Sequence, residues 1–390
     1  MLSVLVRETL RFLFRFFCLF PLKKDTVLVD SMFGKGVSDN AGAYIRRQAE
    51  QGKPGRKFVW GLQDPGAQPA IPGVRFVKYK SLKWFYYHST AKVILYSHHL
   101  YNYLPMRKGQ YHVMMWHAGG AYKRIGAGVA GNSEKDRRLH EYRNRYINEP
   151  GVIFLSSSEL FTKYNIREVY RFTGRIENTG MPRNDIFFDD ARRKAAAKKV
   201  RKTLNLPEDA ETVLYAPTFR MAEIREGKST APLDGGALLQ ALRDRGVKRP
   251  VLLYRCHYYE KSSLENDGSV IDVSGYPDMQ ELLCCADRLV TDYSSCIWDY
   301  ALTGRPCYLY VPDLENYENR EQGFFTPIES WPGEICETAE ALRAAVLRED
   351  AGAFARKAAE HLRVAGSFED GKAWQRLDRL ISELTGADSK

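Results

Sequence analysis

Apolar residues fall in short runs of four to six, separated by stretches where they recur every three or four positions. Runs at 25–31 (DTVLVDS), 57–62, 74–79, 92–97, 111–116 and 151–157 predict buried strands. Helices are predicted between them at 43–51, 82–90 and 134–146. A second series begins at 212–217 (TVLYAP) and continues at 249–257, 269–274, 287–292 and 306–311. Its helices are predicted at 236–245, 279–286, 295–303 and 338–346, and residues 351–384 are helical by composition. Strands that are apolar throughout and alternate with helices imply parallel sheets covered on both faces. Two α/β halves joined near residue 190 predict a two-lobed enzyme with its site in the cleft. Ligands in such sheets bind beyond the carboxyl ends of the strands.

The first 24 residues break the β/α pattern. Residues 2–22 (LSVLVRETLRFLFRFFCLFPL) are mostly Leu, Val and Phe, interrupted by Arg7, Arg11 and Arg15. The uncharged run 16–22 is far short of the ~20 apolar residues that span a bilayer. Arginines four apart form one basic stripe on a helix. The pattern predicts an amphipathic helix lying on an anionic membrane surface, with Lys23 and Lys24 adding attraction. A signal peptide would not carry charges through its core. A second basic run, 191–202 (ARRKAAAKKVRK), reads either as a solvated helix face or as a polymer- or lipid-facing patch.

Composition narrows the partners. The chain has 390 residues and a formal charge of +10, which favours an anionic ligand. At 44% apolar and 27% charged it excludes extended disorder. Its seven cysteines form no C-x-x-C pair, so neither a zinc ribbon nor a disulfide framework is expected. No H-x-x-x-H or clustered Cys/His set is present, and neither a metal nor another cofactor is expected. The chain also lacks a phosphate-binding G-x-x-x-x-G-K-[ST] loop and a G-x-G-x-x-G after its first strand. These gaps argue against nucleoside-triphosphate hydrolysis and dinucleotide redox chemistry. Without an organising RNA- or DNA-binding motif, nucleic acid is not an expected partner.

Candidate chemistry lies at predicted strand ends. His117 in MMWHAGGAYKRIG (114–126) directly follows a strand and precedes Gly119, Gly120 and Lys123. It is placed either as a general base or as a packed loop histidine. Arg255 and His257 close another strand and offer donors for phosphate oxygens. Thr291, Asp292, Tyr293, Ser294 and Ser295 lie between a strand and a helix start. That position is an anion cradle, a helix cap, or both. Arg183 in TGMPRND (179–185) and Arg220 in YAPTFR (215–220) face the cleft or pair with surface carboxylates.

In order, these segments, together with the Gly-Phe-Phe at 323–325, resemble the CDP-glycerol glycerophosphotransferase family over roughly residues 25–371. The resemblance implies a GT-B-like fold of two Rossmann-like lobes. It implies an acceptor-side domain at 25–190, a donor-binding domain at 203–370 and a C-terminal helix at 371–390, after a membrane-association helix at 1–24. It further implies that His117 activates the acceptor hydroxyl. His257 serves the donor pyrophosphate with Arg255, Thr291, Asp292, Ser294 and Ser295, and Arg220 and Arg183 are weaker donor-side matches. Gly119, Gly120 and Lys123 fall on the acceptor side, where Ala118 departs from the family's usual glycine. The implied reaction moves a polyol phosphate, most simply glycerol phosphate from CDP-glycerol, to a hydroxyl of a lipid-linked or polymeric acceptor. CMP is released at the cytoplasmic membrane face, in teichoic acid or capsule-type synthesis. A GT-B glycosyltransferase using a nucleotide sugar and a non-catalytic, basic, membrane-attached polymer-binding protein are the alternatives.

Overall fold

A computed structural model of the chain describes residues 4–52, 55–101, 103–126, 129, 133–218, 233–255 and 268–386. They form two compact units. One comprises Met1–His117, Glu134–Asp185 and Phe368–Lys390, the other Ala118–Ser133 and Ile186–Ser367.

The first unit is built on seven strands: β1 (Lys23–Asp30), β2 (Lys57–Leu62), β3 (Val74–Lys78), β4 (Ala91–Tyr96), β5 (Tyr111–Met114), β6 (Val152–Ser156) and β7 (Arg175–Asn178). All pair in parallel, in the order β3-β2-β1-β4-β5-β6-β7. Because β1 neighbours β4, the winding direction reverses between their carboxyl ends, which opens a crevice there. Val27, Val29, Val93, Leu95 and Val113 are fully buried, packed with Ala41, Tyr44 and Ile45. Those last three belong to helix α2 (Asp39–Gln51). Helices α1 (Val4–Phe14), α3 (Leu82–Thr90) and α4 (Glu134–Ile147) add to the cover of this unit, with a further helical segment at 159–169.

The second unit repeats the plan with β8 (Glu211–Ala216), β9 (Pro250–Tyr254), β10 (Val270–Asp272), β11 (Arg288–Thr291), β12 (Cys307–Tyr310) and β13 (Glu334–Cys336). Its parallel order is β10-β9-β8-β11-β12-β13, so the reversal lies between β8 and β11. The two-sheet α/β architecture expected from the sequence is present. The edge strands β7 and β13 were not expected. Each contains a single large apolar residue, Ile176 or Ile335, because an edge strand contacts one neighbour and its outer side is wet.

The expected boundaries and the observed units differ in part. The first unit ends at Asp185, not near 190, because the helix Asp190–Thr203 packs Ala196 and Val200 inside the second unit. This helix carries the basic run, and Lys199 pairs with Glu281 at 2.7 Å while Arg193 pairs with Asp190 at 2.7 Å. The predicted helical tail is two helices in different units, Ala351–Val364 in the second and Ala373–Thr385 in the first. The last helix is therefore no appendage. Leu377, Leu380, Ile381 and Leu384 sit in the core of the first sheet. Its start is capped by Asp185, whose carboxylate accepts from the Ala373 and Trp374 amides at 3.0 and 2.8 Å. Asp378 on the same helix accepts from Arg56 at 2.6 Å and from the Tyr44 hydroxyl at 3.0 Å.

Truncating one fully buried side chain on that last helix tests its role as core. Ile381→Ala should cost about 2–5 kcal/mol, the usual range for deleting a buried aliphatic side chain, read from the urea unfolding midpoint. A loss below about 0.5 kcal/mol, as for a surface site, would show the helix to be peripheral.

Candidate active site

In the first unit the crevice is lined by the loops after β1, β4 and β5. His117 follows β5 by three residues and is exposed, whereas the preceding Trp116 is buried. Trp116 has a φ of 55°, a left-handed conformation that turns the chain sharply at the strand end. The His117 Nδ1 lies 3.1 Å from the carbonyl oxygen of Ser97, which follows β4. A carbonyl can only accept, so Nδ1 carries the proton and Nε2 is the basic nitrogen. This tautomer is the one a general base turned outward requires.

The backbone of the histidine is held as firmly as its ring. Arg183 is buried, donates to the His117 carbonyl at 2.8 Å and pairs with Asp39 at 2.6 Å. Asn40 donates to the Trp116 carbonyl at 2.9 Å. Arg183, a donor-side match in the sequence, here braces the backbone of His117. Its neighbours in TGMPRND serve the fold. Asn184 donates to Glu369 at 3.1 Å, the Met181 amide donates to the same carboxylate at 3.0 Å, and Asp185 caps the last helix.

Ser97 joins His117 to the loop after β1. Its hydroxyl bonds Ser31 Oγ at 2.9 Å and accepts from the Met32 amide at 3.0 Å. Met32 and Phe33 both have positive φ, 48° and 53°, a strained turn that costs roughly 1–3 kcal/mol per residue. At the end of β1, Asp30 is fully buried, and one of its carboxyl oxygens has no hydrogen-bond partner among the described residues. The other lies 3.6 Å from His98 Nε2 and 3.4 Å from the Tyr101 hydroxyl. Burial pushes the Asp30 carboxyl up to about 8 and the His98 imidazole down to about 3. The contact is therefore between a neutral acid and a neutral imidazole, not an ion pair. Sequence reasoning missed Asp30, Ser97 and His98, although a Ser-His pair directly after a predicted strand is the same signal that singled out His117.

In the second unit the predicted anion loop lies at the corresponding reversal point, after β11. Its residues divide in two. Thr291 is fully buried and its hydroxyl donates to the Ala216 carbonyl at 2.6 Å. Asp292 is buried and accepts from the Thr218 amide at 2.9 Å, the Thr218 hydroxyl at 2.7 Å and the Tyr293 amide at 2.6 Å. These two stitch the loop after β8 to the loop after β11. Ser294 and Ser295 are half-exposed, and Ser294 Oγ accepts from the Cys296 amide at 3.4 Å. Arg255 follows β9 with its guanidinium partly buried, and Nη1 donates to the Tyr276 carbonyl at 2.8 Å. His257 and Arg220 lie outside the described residues.

Gly119, Gly120 and Lys123 belong to the second unit, not to the unit that carries His117. Gly119 lies against the buried Trp298, where a Cβ would approach the indole to 2.1 Å. Lys123 forms a β-bridge with Phe324, and the Arg124 amide donates to the Gly323 carbonyl at 2.9 Å. The Tyr122 hydroxyl donates to His361 Nε2 at 3.0 Å, while His361 Nδ1 donates to the Ser330 carbonyl at 2.8 Å. The glycines are needed for this packing.

The arginines of α1 are turned the opposite way from the prediction. Arg7 is buried, and Arg11 pairs with Glu149 and lies 4.1 Å over the Tyr146 ring. Glu8 accepts from the Tyr142 hydroxyl at 2.7 Å. Phe14 stacks on Phe85 at 4.4 Å. Of the three, only Arg15 is exposed. The outward side is apolar instead: Leu5, Phe12, Leu13, Phe16 and Leu19 are 60–78% exposed. Among the described residues no helix is long and apolar enough to cross a membrane.

The profile of the CDP-Glycerol:Poly(glycerophosphate) glycerophosphotransferase family matches residues 12–383. The chain belongs to this family. The teichoic acid glycerol-phosphate transferase of Staphylococcus aureus is 29% identical over 92% of this chain and 93% of its own. The teichoic acid poly(glycerol phosphate) polymerase of Bacillus subtilis is 27% identical over 87% of this chain but only 46% of its own. The chain thus spans about half the length of the first curated relatives it matches. Among solved structures, a variant of the wall teichoic acid polymerase TagF soaked with CDPG is similar. It shares 26% identity and a TM-score of 0.83 over 98% of this chain and 95% of that one.

Within this chain the sequence motifs bond to one another in pairs. The histidine segment is fixed by TGMPRND, YAPT by TDYSS, and AYKR by Gly-Phe-Phe. Asp30 offers a test of the electrostatics in the first crevice. Its folded-state value lies above the unfolded 3.8, so the folded chain keeps a proton that the unfolded chain releases. Its stabilising contribution is complete at acid pH and is lost as pH rises from about 4 to about 8. His98 works in the opposite sense, losing stability as pH falls below 6.5. Asp30→Asn should therefore gain on the wild type between pH 5 and 8, by up to about 1.4 kcal/mol per pH unit in urea unfolding. A constant difference across that range would mean that Asp30 is ionised in the folded protein.

Proposed function

We propose that the chain transfers glycerol phosphate from CDP-glycerol to a hydroxyl of a teichoic acid-type acceptor, polymeric or lipid-linked, releasing CMP. The observation that carries the reading is His117, exposed at a strand end with its Nδ1 proton committed to the Ser97 carbonyl. Membership of the family and the likeness to a polymerase soaked with CDPG support the donor. In the proposed step His117 Nε2 takes the proton of the acceptor hydroxyl as its oxygen attacks the β-phosphorus. The new P–O bond forms as the bond to the CMP oxygen breaks, and CMP leaves with the electron pair. Charge on the transferring phosphoryl group needs donors set in advance. Ser294, Ser295 and Arg255 are assigned that role, with His257 and Arg220 as the remaining sequence candidates.

The reading also places the protein on the cytoplasmic face of the membrane as a peripheral protein. The exposed apolar row of α1 and the turn after it supports this, because contiguous apolar surface of that kind marks an interaction site.

Two measurements test the proposal. His117→Ala should melt like the wild type, because the ring is exposed, and lose about 10²–10⁴ in kcat for CMP release from CDP-glycerol. Near-normal turnover removes His117 as the base, and release of nucleotide from UDP- or CMP-sugars but not from CDP-glycerol favours a glycosyltransferase. In flotation with phosphatidylcholine vesicles, the full chain should bind and the double variant Leu13→Ser, Phe16→Ser should not. Equal flotation of the two would remove the membrane face.

A further inference from the structure

A cavity of about 660 Å³ opens at the end of the first sheet opposite the His117 crevice. It lies at the amino-terminal ends of three adjacent strands and is lined by Lys23, Asp25 and Thr26 of β1, Lys57 of β2, Arg75 of β3 and Tyr87 of α3. Three cations face one carboxylate. Asp25 is committed to Lys57 at 2.7 Å, a contact that holds its carboxyl below the usual range. The remaining excess of positive charge sits on Lys23 and Arg75. Both are held on aromatic supports. The Lys23 ammonium lies 5.2 Å over the Tyr86 ring and 5.7 Å over the Tyr87 ring, and Arg75 Nη1 donates to the Tyr87 hydroxyl at 3.0 Å. Fixing a long cationic side chain in advance lowers the entropic cost of binding an anion.

The cavity is continuous with the apolar row. Phe20, at the end of that row, packs edge-on against Tyr86 at 5.3 Å, and Tyr86 carries Lys23 on its face. Leu82, one turn before Tyr86 on α3, is 76% exposed. An apolar surface that meets a cationic hollow at its rim matches an anionic phospholipid, whose acyl chains and phosphate group meet in the same way. A free phosphate would use the cations but not the row beside them.

We infer that the cavity formed by Lys23, Lys57, Arg75 and Tyr87 binds the phosphate-bearing headgroup of an anionic phospholipid at the surface where α1 meets the membrane. This inference rests on the membrane face proposed above and adds a lipid preference to it. Basic residues near an anionic surface contribute roughly five- to sixfold each in affinity. Lys23 and Arg75 together should therefore account for about 30-fold in binding.

The test is partitioning of the full chain onto phosphatidylcholine vesicles with and without 30% phosphatidylglycerol, at about 0.1 M salt. The wild type should prefer the anionic vesicles. Lys23→Ala with Arg75→Ala should lose that preference by about 30-fold and keep wild-type binding to phosphatidylcholine, which also shows that it is folded. Leu13→Ser with Phe16→Ser should lose binding to both vesicles. An unchanged preference in the Lys23, Arg75 variant overturns the headgroup site and leaves the membrane face standing. Absence of wild-type binding to either vesicle overturns both. Titration of wild type and the Lys23, Arg75 variant with inorganic phosphate or glycerol 3-phosphate distinguishes the sources. If millimolar phosphate raises the melting temperature only in the wild type while vesicle preference is the same in both, the cavity serves a soluble phosphate and the lipid assignment fails.

Discussion

A buried guanidinium cannot stand without a carboxylate, and the pairing of Arg183 with Asp39 is the constraint on which the first crevice depends. Removing one member would leave an uncompensated charge, at roughly 3–5 kcal/mol. The pair binds together three places distant in sequence: the start of α2, the loop after β5 and the segment that ends the central part of the first unit. Arg183 spends another donor on the His117 carbonyl, so stability and orientation of the histidine come from one side chain. The same seven-residue segment also caps the returning C-terminal helix through Asp185. A short motif thus closes the unit and holds the backbone of His117.

The second unit solves the corresponding problem with a carboxylate in place of a cation. Asp292 takes the amide and hydroxyl of Thr218, and Thr291 takes the Ala216 carbonyl. Backbone groups at a topological reversal have no neighbouring strand to bond, and buried ones need another partner. Once these groups are satisfied, Ser294 and Ser295 are the loop hydroxyls left near the surface. Capping and phosphate binding were both compatible with the TDYSS sequence. Thr291 and Asp292 serve the scaffold through the bonds they make.

Much of the sheet architecture was legible because buried parallel strands are apolar on both faces, as 57–62 (KFVWGL) and 92–97 (KVILYS) are. What was not legible depends on what each residue packs against. β7 and β13 lack an apolar run because they are edges. The tail reads as one helical stretch because composition does not record that residues 365–372 carry the chain back to the first unit. His117 was singled out by its place at a strand end, whereas the pairing of Arg183 with Asp39 was not legible because sequence shows a cation but not its counter-charge. Gly119 shows the same limit. A glycine beside a histidine suggests room for substrate, yet here the room is filled by Trp298.

The orientation of α1 follows from a similar competition. Arginines on an apolar helix invite the view that they point toward anionic lipid. Here the surface of the first unit supplies Glu149 and the face of Tyr146 for Arg11, and Arg7 is buried on the same side. Docking those charges inward turns the Leu5, Phe12, Phe16 and Leu19 side outward, where no described part of the protein covers it. A helix held this way differs from a free amphipathic peptide, which must fold as it enters the interface. Its backbone entropy has already been lost in folding, at roughly 1–2 kcal/mol per residue. That cost is then borne by the protein's own packing and not by the lipid contact. The proposed membrane face is accordingly a rigid feature of the first unit. Its geometry relative to β1–β4 is set by the same aromatic contacts, Phe14 on Phe85 and Phe20 on Tyr86, that join it to α3.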